Sequence, residues 1–293
     1  MIMHQDNPAT EILHLGLSHE PLSLIDDWNE KIWRYMDLAK FVSMLQNDAL
    51  FFSVVAMLGD DLEAAPPTLP KSDDAFQKRK ACSIWSLNRC INFASCWHRS
   101  DDESAAMWMI YAGGDQGIAI QSTLDGLRRA FPPATEEDAN KILKIGLVDY
   151  IDPSAEVPLP RIGNTYQSVL LKRMWYASER EMRIICSPPD NWIEPSSLHE
   201  SGGFKKAGVW VHCGLRELIQ AVIVAPKAPS YLEPAVREIF RRFGFNPAIV
   251  KASRLNEAVV WPDPAAVRAV LKSMSRPDSA APDETSVDQS PTV

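Results

Sequence analysis

Trp175-Tyr-Ala-Ser-Glu-Arg-Glu-Met-Arg-Ile184 reads as a β-strand with two unlike faces. Side chains alternate sides along a strand, so Glu179, Glu181 and Arg183 share one face. Arg180, Met182, Ile184 and, just beyond the run, Cys186 share the other. One face is two carboxylates and a guanidinium; the other is mostly apolar and suits a core. Two acids this close repel each other, and proteins seldom keep such a pair without a cation, a ligand or a reaction that uses it.

Working outward, the residues before and after this run alternate between strand and helix signals. Trp33-Arg-Tyr-Met36 reads as a short strand, and Asp37 is placed to cap a helix through Phe41, Met44 and Leu45. Ala49 to Val55 and Asn92 to Trp97 read as strands, with a polar loop at Gly59-Asp-Asp-Leu-Glu63 between them. Asp101-Asp-Glu-Ser104 opens a helix that runs to Tyr111 and stops at Gly113-Gly114. Gly117 to Ser122 is a strand, Leu124 to Phe131 a helix, and Ile145 to Tyr150 a strand. Tyr166 to about Trp175 is expected to be helical. Ala221 to Pro226, an amphipathic helix from Glu233 to Phe243, and Ala248 to Ser253 read as strand, helix and strand, open to either a crossover unit or a mixed sheet. The fold class this implies is α+β: a single domain over residues 28–275 with a mixed, mainly antiparallel central sheet and flanking helices. Residues 1–27 read as a loose lead-in, and residues 276–293 as a disordered tail with nothing to bury.

Composition narrows the function classes. The chain has 293 residues, 46% of them hydrophobic, and nine Trp, enough for a sizeable core with aromatic walls. The net charge of −8 argues against a protein whose whole surface grips nucleic acid, although a local basic groove stays open. Five cysteines at irregular spacing (Cys82, Cys90, Cys96, Cys186 and Cys213) do not read as a disulfide framework. No run approaches the roughly 20 apolar residues of a membrane span, and the first residues lack the marks of a signal peptide. A cytoplasmic protein with reduced thiols and no membrane association is expected. Cys96 and His98 lie two apart without a C-x-x-C pair, so no metal site is expected there.

Trp33-Arg-Tyr35, Leu50-Phe-Phe-Ser53, Gly59-Asp-Asp-Leu-Glu63, Ser95-Cys-Trp97, Glu103 to Tyr111, Gly117-Ile-Ala-Ile120 and Glu179-Arg-Glu-Met-Arg183 follow in an order that resembles a bacterial family catalogued as domain of unknown function 2971. The likeness runs over roughly residues 30 to 255, and Met-Trp-x-x-Tyr and Glu-x-Glu-x-Arg are its most specific parts. That family usually carries an Asn-Asp-Pro-Phe-Glu type loop, whose Pro and Phe are missing here. Genes of this family type often sit in mobile or anti-phage defence contexts, which the resemblance extends to this chain as an expectation.

The same order is more loosely similar to the R-S-E arrangement of ADP-ribosyltransferases. That likeness implies Arg34 on the phosphates of NAD, Ser53 or Ser95 supporting the cleft, and Glu181 on the nicotinamide ribose, steadying its oxocarbenium ion. Glu179 would serve as base toward a macromolecular acceptor, nucleic acid or protein, with Tyr35, Trp108, Tyr111 and Arg183 completing the cofactor-binding set. The chemistry is coherent. Cleaving the glycosidic C–N bond of NAD builds positive charge on the ribose, and a fixed carboxylate stabilises that state more than the ground state. Arg suits a pyrophosphate because its planar fork donates two hydrogen bonds.

Two other functions use the same residues. Asp60, Asp61 and Glu63 with Glu179, Glu181 and Lys172 resemble the acid cluster of a metal-dependent nuclease. Glu179, Glu181 and Arg183 also describe a solvated strand face with a cross-strand ion pair, as in a non-catalytic sensor or interaction module. Trp97, Trp108 and Tyr111 read as core ahead of ligand walls, and Met107, Trp108 and Tyr111 have the helical spacing of a core stripe. All three readings turn on whether Arg34, a strand serine and Glu181 meet in one place.

Overall fold

The computed structural model describes residues 12–13, 15–18, 21, 23–60, 63, 83, 87–133, 142–152, 154, 165–186, 207–256 and 263–274. Asp61, Cys82 and the tail from residue 276 lie outside them. In chain order the strands are β1 (Ile12–Leu13), β2 (Gly16–Leu17), β3 (Lys31–Asp37), β4 (Ala49–Val54), β5 (Phe93–Arg99), β6 (Gly117–Thr123), β7 (Ile142–Leu147), β8 (Asp149–Ile151), β9 (Leu171–Arg173), β10 (Glu181–Cys186), β11 (Gly208–His212), β12 (Ala221–Val224) and β13 (Val250–Ala252). The helices are α1 (Leu38–Asn47), α2 (Ala105–Tyr111), α3 (Leu124–Ala130), α4 (Thr165–Ser168), α5 (Leu215–Leu218), α6 (Leu232–Arg242) and α7 (Pro264–Met274). The fold is α+β, with a mixed, mostly antiparallel sheet of eleven strands.

Two helix starts follow the capping residues read from the sequence: Asp37 accepts from the Lys40 amide at the head of α1, and Ser104 from Met107 at α2. At α3 the structure adds Thr123, which accepts from the Gly126 amide. The strand–helix–strand unit closes as a parallel pair, β12 beside β13, with α6 between them in sequence.

β5 is the axis of the sheet. β10 runs antiparallel along one edge of it, from Glu181 opposite His98 to Cys186 opposite Phe93. On the other edge β4 meets β5 only at Ser53 and Val54, and β3 only at Ile32 and Trp33. Among the described residues, positions 95–97 therefore have no partner strand on that edge, and β3 and β4 part there.

Both faces of the sheet are covered, so both are apolar over most of their area. One face carries Ile32, Met36, Phe52, Trp97, Ile118, Ile120, Met182 and Ile184 into the main core, against Phe41 of α1, Leu127 of α3 and Phe240 of α6. Each of these fully buried side chains contributes roughly 1.5–3 kcal/mol. The other face holds two smaller clusters, Trp33, Tyr35 and Trp108 in one, and Val55, Ala94, Val169, Leu170 and Ile185 in the other.

Three expectations change. The stretch read as a lead-in is tied into the fold: Leu13, Leu15 and Leu17 are buried, β1 pairs with β11 and β2 with β7. The segment expected to be one helix from Tyr166 to Trp175 is instead α4, β9 and the first residues of a 3-10 turn, because Leu171 and Lys172 pair with β8. The compact unit containing the sheet ends at Asn256, and α7 belongs to a second unit, Glu257–Val293.

Candidate functional site

The register of β5 and β10 sorts their residues by face. Glu181, Arg183 and Ile185 lie with His98, Cys96 and Ala94; Met182, Ile184 and Cys186 lie with Trp97, Ser95 and Phe93. The second set goes into the main core. The first set carries the charge.

Glu179 reaches this face by a different route from the one its spacing suggests. Met174–Glu179 is a 3-10 turn, not a strand, and Arg180 closes it in the left-handed region at φ 40°. The period-two face therefore holds only from Glu181 onward. The two carboxylates still converge, because Lys172 of β9 reaches both: its Nζ is 2.5 Å from Glu179 Oε2 and 3.1 Å from Glu181 Oε2.

Beneath them is Arg183, with no exposed surface. Its Nε and Nη2 donate to the two oxygens of Glu181 at 2.8 and 2.9 Å, a fork-to-carboxylate pair. Nη2 also donates to Glu63 at 2.7 Å, and Nη1 to the Val169 carbonyl at 2.5 Å. Glu63 is buried and lies 3.8 Å from Lys172. Three carboxylates thus face two cations, leaving one negative charge in surplus. The adjoining loop is held by Asp60, which takes two hydrogen bonds from Arg173.

The electrostatics follow from burial and pairing. Burial alone would favour protonating Glu181, but Arg183 and then Lys172 overcome it and hold the carboxyl at about 2. Glu181 is therefore an anion at neutral pH. Lys172 is opposed by burial yet shifted upward by Glu181, Glu63 and Glu179, so it stays charged. Cys96, across from Arg183, has its thiol pushed well up, by burial first and then by Glu181. Tyrosines border the acids. The Tyr150 hydroxyl accepts from the Glu181 amide at 2.7 Å, and burial pushes its pKa to about 12. Tyr111, 44% exposed, is next to Glu179, and burial followed by that carboxylate shifts its pKa upward. The Tyr176 ring lies 4.9 Å from Lys172 Nζ, and Trp175 beside it is 69% exposed.

Arg34 and Ser95 are not brought to this cluster. Arg34 alternates with Trp33, which sits opposite His98, so it points to the other face, as Ser95 does. There Arg34 donates to Ser95 Oγ at 2.7 Å and to the Phe51 carbonyl at 2.8 Å, and its guanidinium lies 6.0 Å from the Trp97 ring centre. It bridges β3, β4 and β5 where the sheet parts. Ser53 faces the acid side, opposite Ala94, but its hydroxyl donates to the adjacent Val54 carbonyl. Tyr35 and Trp108 pack edge to face, with ring centres 5.0 Å apart, in the small core beside His98. Trp97 and Trp108 are buried, the core placement rather than ligand walls.

Lys172, Tyr150 and Glu63 are the members that spacing alone could not place. The Asp149-Tyr150 strand end and the acids of the 59–63 loop were visible, but the contacts span 31 residues from Tyr150 to Glu181 and 120 from Glu63 to Arg183. Glu63 does join the other acids, yet Lys172 and Arg183 lie between the carboxylates where a cation would sit. Among the described residues no group of three His, Cys, Asp or Glu is placed to hold a metal ion. No helix among them is long and apolar enough to cross a membrane.

No family model and no curated protein matches this chain. Among solved structures, DarT from Thermus sp. 2.9 in complex with ADP-ribosylated ssDNA matches with 12% identity, over 77% of this chain and 94% of that chain, at a TM-score of 0.32. At that TM-score neither fold nor activity follows from the likeness.

Proposed function

We propose that this chain is an ADP-ribosyltransferase-like enzyme that cleaves the nicotinamide–ribose bond of NAD and passes the ADP-ribosyl group to a macromolecule. The observation that carries this reading is the convergence of Glu179 and Glu181 on one ammonium, Lys172 Nζ, at a margin lined by Tyr111, Tyr150 and Tyr176. Lys172 and Arg183 already lie between the carboxylates, so what suits a centre that becomes cationic as the glycosidic bond breaks is the excess of three carboxylates over two cations in the cluster. Glu181 is bound on both oxygens by Arg183, so it acts as a fixed charge, and Glu179 is the member next to the half-exposed Tyr111. Arg34 and Ser95 meet each other and not Glu181, so the R-S-E order lends this reading no support and it rests on the carboxylate pair alone; an exposed cation beside the pair is Arg180, 59% exposed and 3.7 Å from Glu30. The resemblance to domain of unknown function 2971 is compatible with this reading and adds no activity of its own.

The test is NAD turnover by purified protein, read as nicotinamide release, beside NAD binding by calorimetry. Glu179→Gln is expected to lower turnover by about 100-fold or more while NAD still binds. Glu181→Gln is compared only after denaturation shows that it folds. Wild-type protein that neither binds NAD nor releases nicotinamide sinks the proposal. Cleavage of nucleic acid that needs Mg²⁺ and stops on chelation would replace it with the nuclease reading.

A further inference from the structure

His98 sits in β5 opposite Glu181 of β10 and opposite Trp33 of β3, on the carboxylate face of the sheet. Its Nδ1 lies 2.6 Å from the backbone carbonyl oxygen of Glu179. A carbonyl oxygen can only accept, so Nδ1 carries the hydrogen and the lone pair of the neutral ring is on Nε2. The residue is 8% exposed, and among the described residues Nε2 has no hydrogen-bond partner and is not sealed from solvent. The 3-10 turn therefore does two things at once: its last residue supplies a carboxylate to Lys172 and a carbonyl that orients the imidazole.

The groups facing His98 are Glu179 and Arg180 from the turn, Glu181 from β10, and Tyr35 from β3, whose ring centre is 6.3 Å away. Burial lowers the imidazole pKa and Arg180 adds to that, while the hydrogen bond to Glu179 and its charge push back; the net shift is downward. The ring is neutral at pH 7. The carboxylates are poorly suited to taking a proton there. Glu181 is held near 2, and Glu179 is already bound to the Lys172 ammonium.

We propose that His98 is the general base that takes the proton from the incoming acceptor, an assignment that rests on the ADP-ribosyl-transfer reading above. The acceptor is an atom bearing a hydrogen, a hydroxyl or an N–H. Its lone pair forms the new bond to ribose C1′. The C1′–N bond breaks with its electron pair moving to the pyridinium, which leaves as neutral nicotinamide. The acceptor's proton goes to Nε2 of His98 and then to solvent.

His98→Asn keeps a donor for the Glu179 carbonyl and removes the base. The expected result is NAD affinity within about twofold of wild type, kcat for transfer lower by about 100-fold with little change in KM, and partial rescue by added imidazole. The fall in wild-type kcat as pH drops below the ordinary imidazole range should vanish in the variant. Diethyl pyrocarbonate should modify His98 in the folded protein, and NAD should protect it. An unreactive His98, or a His98→Asn enzyme with wild-type kcat and an intact acid limb, overturns the assignment while leaving the transfer reading standing. A wild-type protein that binds no NAD overturns both.

Discussion

Arg183 makes four hydrogen bonds without exposing any surface, two of them to Glu181, one to Glu63 and one to the Val169 carbonyl. Removing it leaves two buried carboxylates with only Lys172 to answer them. Arg183→Ala is therefore expected to destabilise the fold by about 3–5 kcal/mol, read by urea denaturation. A loss below about 1 kcal/mol would show that the acids relax to solvent and that the network is not closed. The pH dependence follows from the same residue. The folded-state pKa of Glu181 lies below the ordinary 4.5, so its stabilisation is complete above that value and fades as pH falls toward about 2. The difference amounts to something on the order of 3 kcal/mol. Glu181→Gln should flatten that part of the acid-unfolding curve, and a curve of unchanged shape between pH 4.5 and 2 would count against the assignment.

At the scale of elements, most of the strands and helix caps could be read from the sequence, and the site only in part. Asp37 and Ser104 announce α1 and α2 because a cap is a local hydrogen bond between near neighbours. Glu179 and Glu181 meet at Lys172, but by a path that alternation does not give, since nothing in Met174–Glu179 declares a 3-10 turn ended by a left-handed Arg. Arg34 and Ser95 were grouped with Glu181 by order along the chain, and order does not report on which face of a sheet a residue lies. One glycine shows how a strand can shape the site without touching it. Gly146 of β7 lies opposite Arg183, and a Cβ there would stand 2.4 Å from Leu170 Cδ1. Its bareness lets the Val169–Leu170 turn close down and present the carbonyl that Arg183 Nη1 uses. Gly146→Val is expected to cost about 1–3 kcal/mol by overpacking and to weaken the Arg183 anchor. The double mutant with Arg183→Ala should lose less than the sum of the two single losses, because both act through the same turn. Strict additivity in the double mutant would separate Gly146 from the site.

For the whole molecule, the question is where the stability resides. The unit Met1–Asn256 holds the eleven-stranded sheet, and its core reaches as far along the chain as Val250. α7, in the unit Glu257–Val293, buries none of its side chains, and Val267, Val270, Leu271 and Met274 are all exposed at helical spacing. An 11-residue helix with no buried face contributes little, because helices of that length are marginal in water without tertiary packing. A chain ending at Asn256 should therefore unfold within about 2 °C of the full chain in a calorimetric scan. It should also keep the NAD turnover proposed above, since His98, Lys172, Glu179, Glu181 and Arg183 all lie in the first unit. A midpoint lower by more than about 4 °C would show that the second unit stabilises the first. Unchanged melting with lost turnover would instead give the second unit a part in catalysis or acceptor capture, because the carboxylate network would then be intact and insufficient.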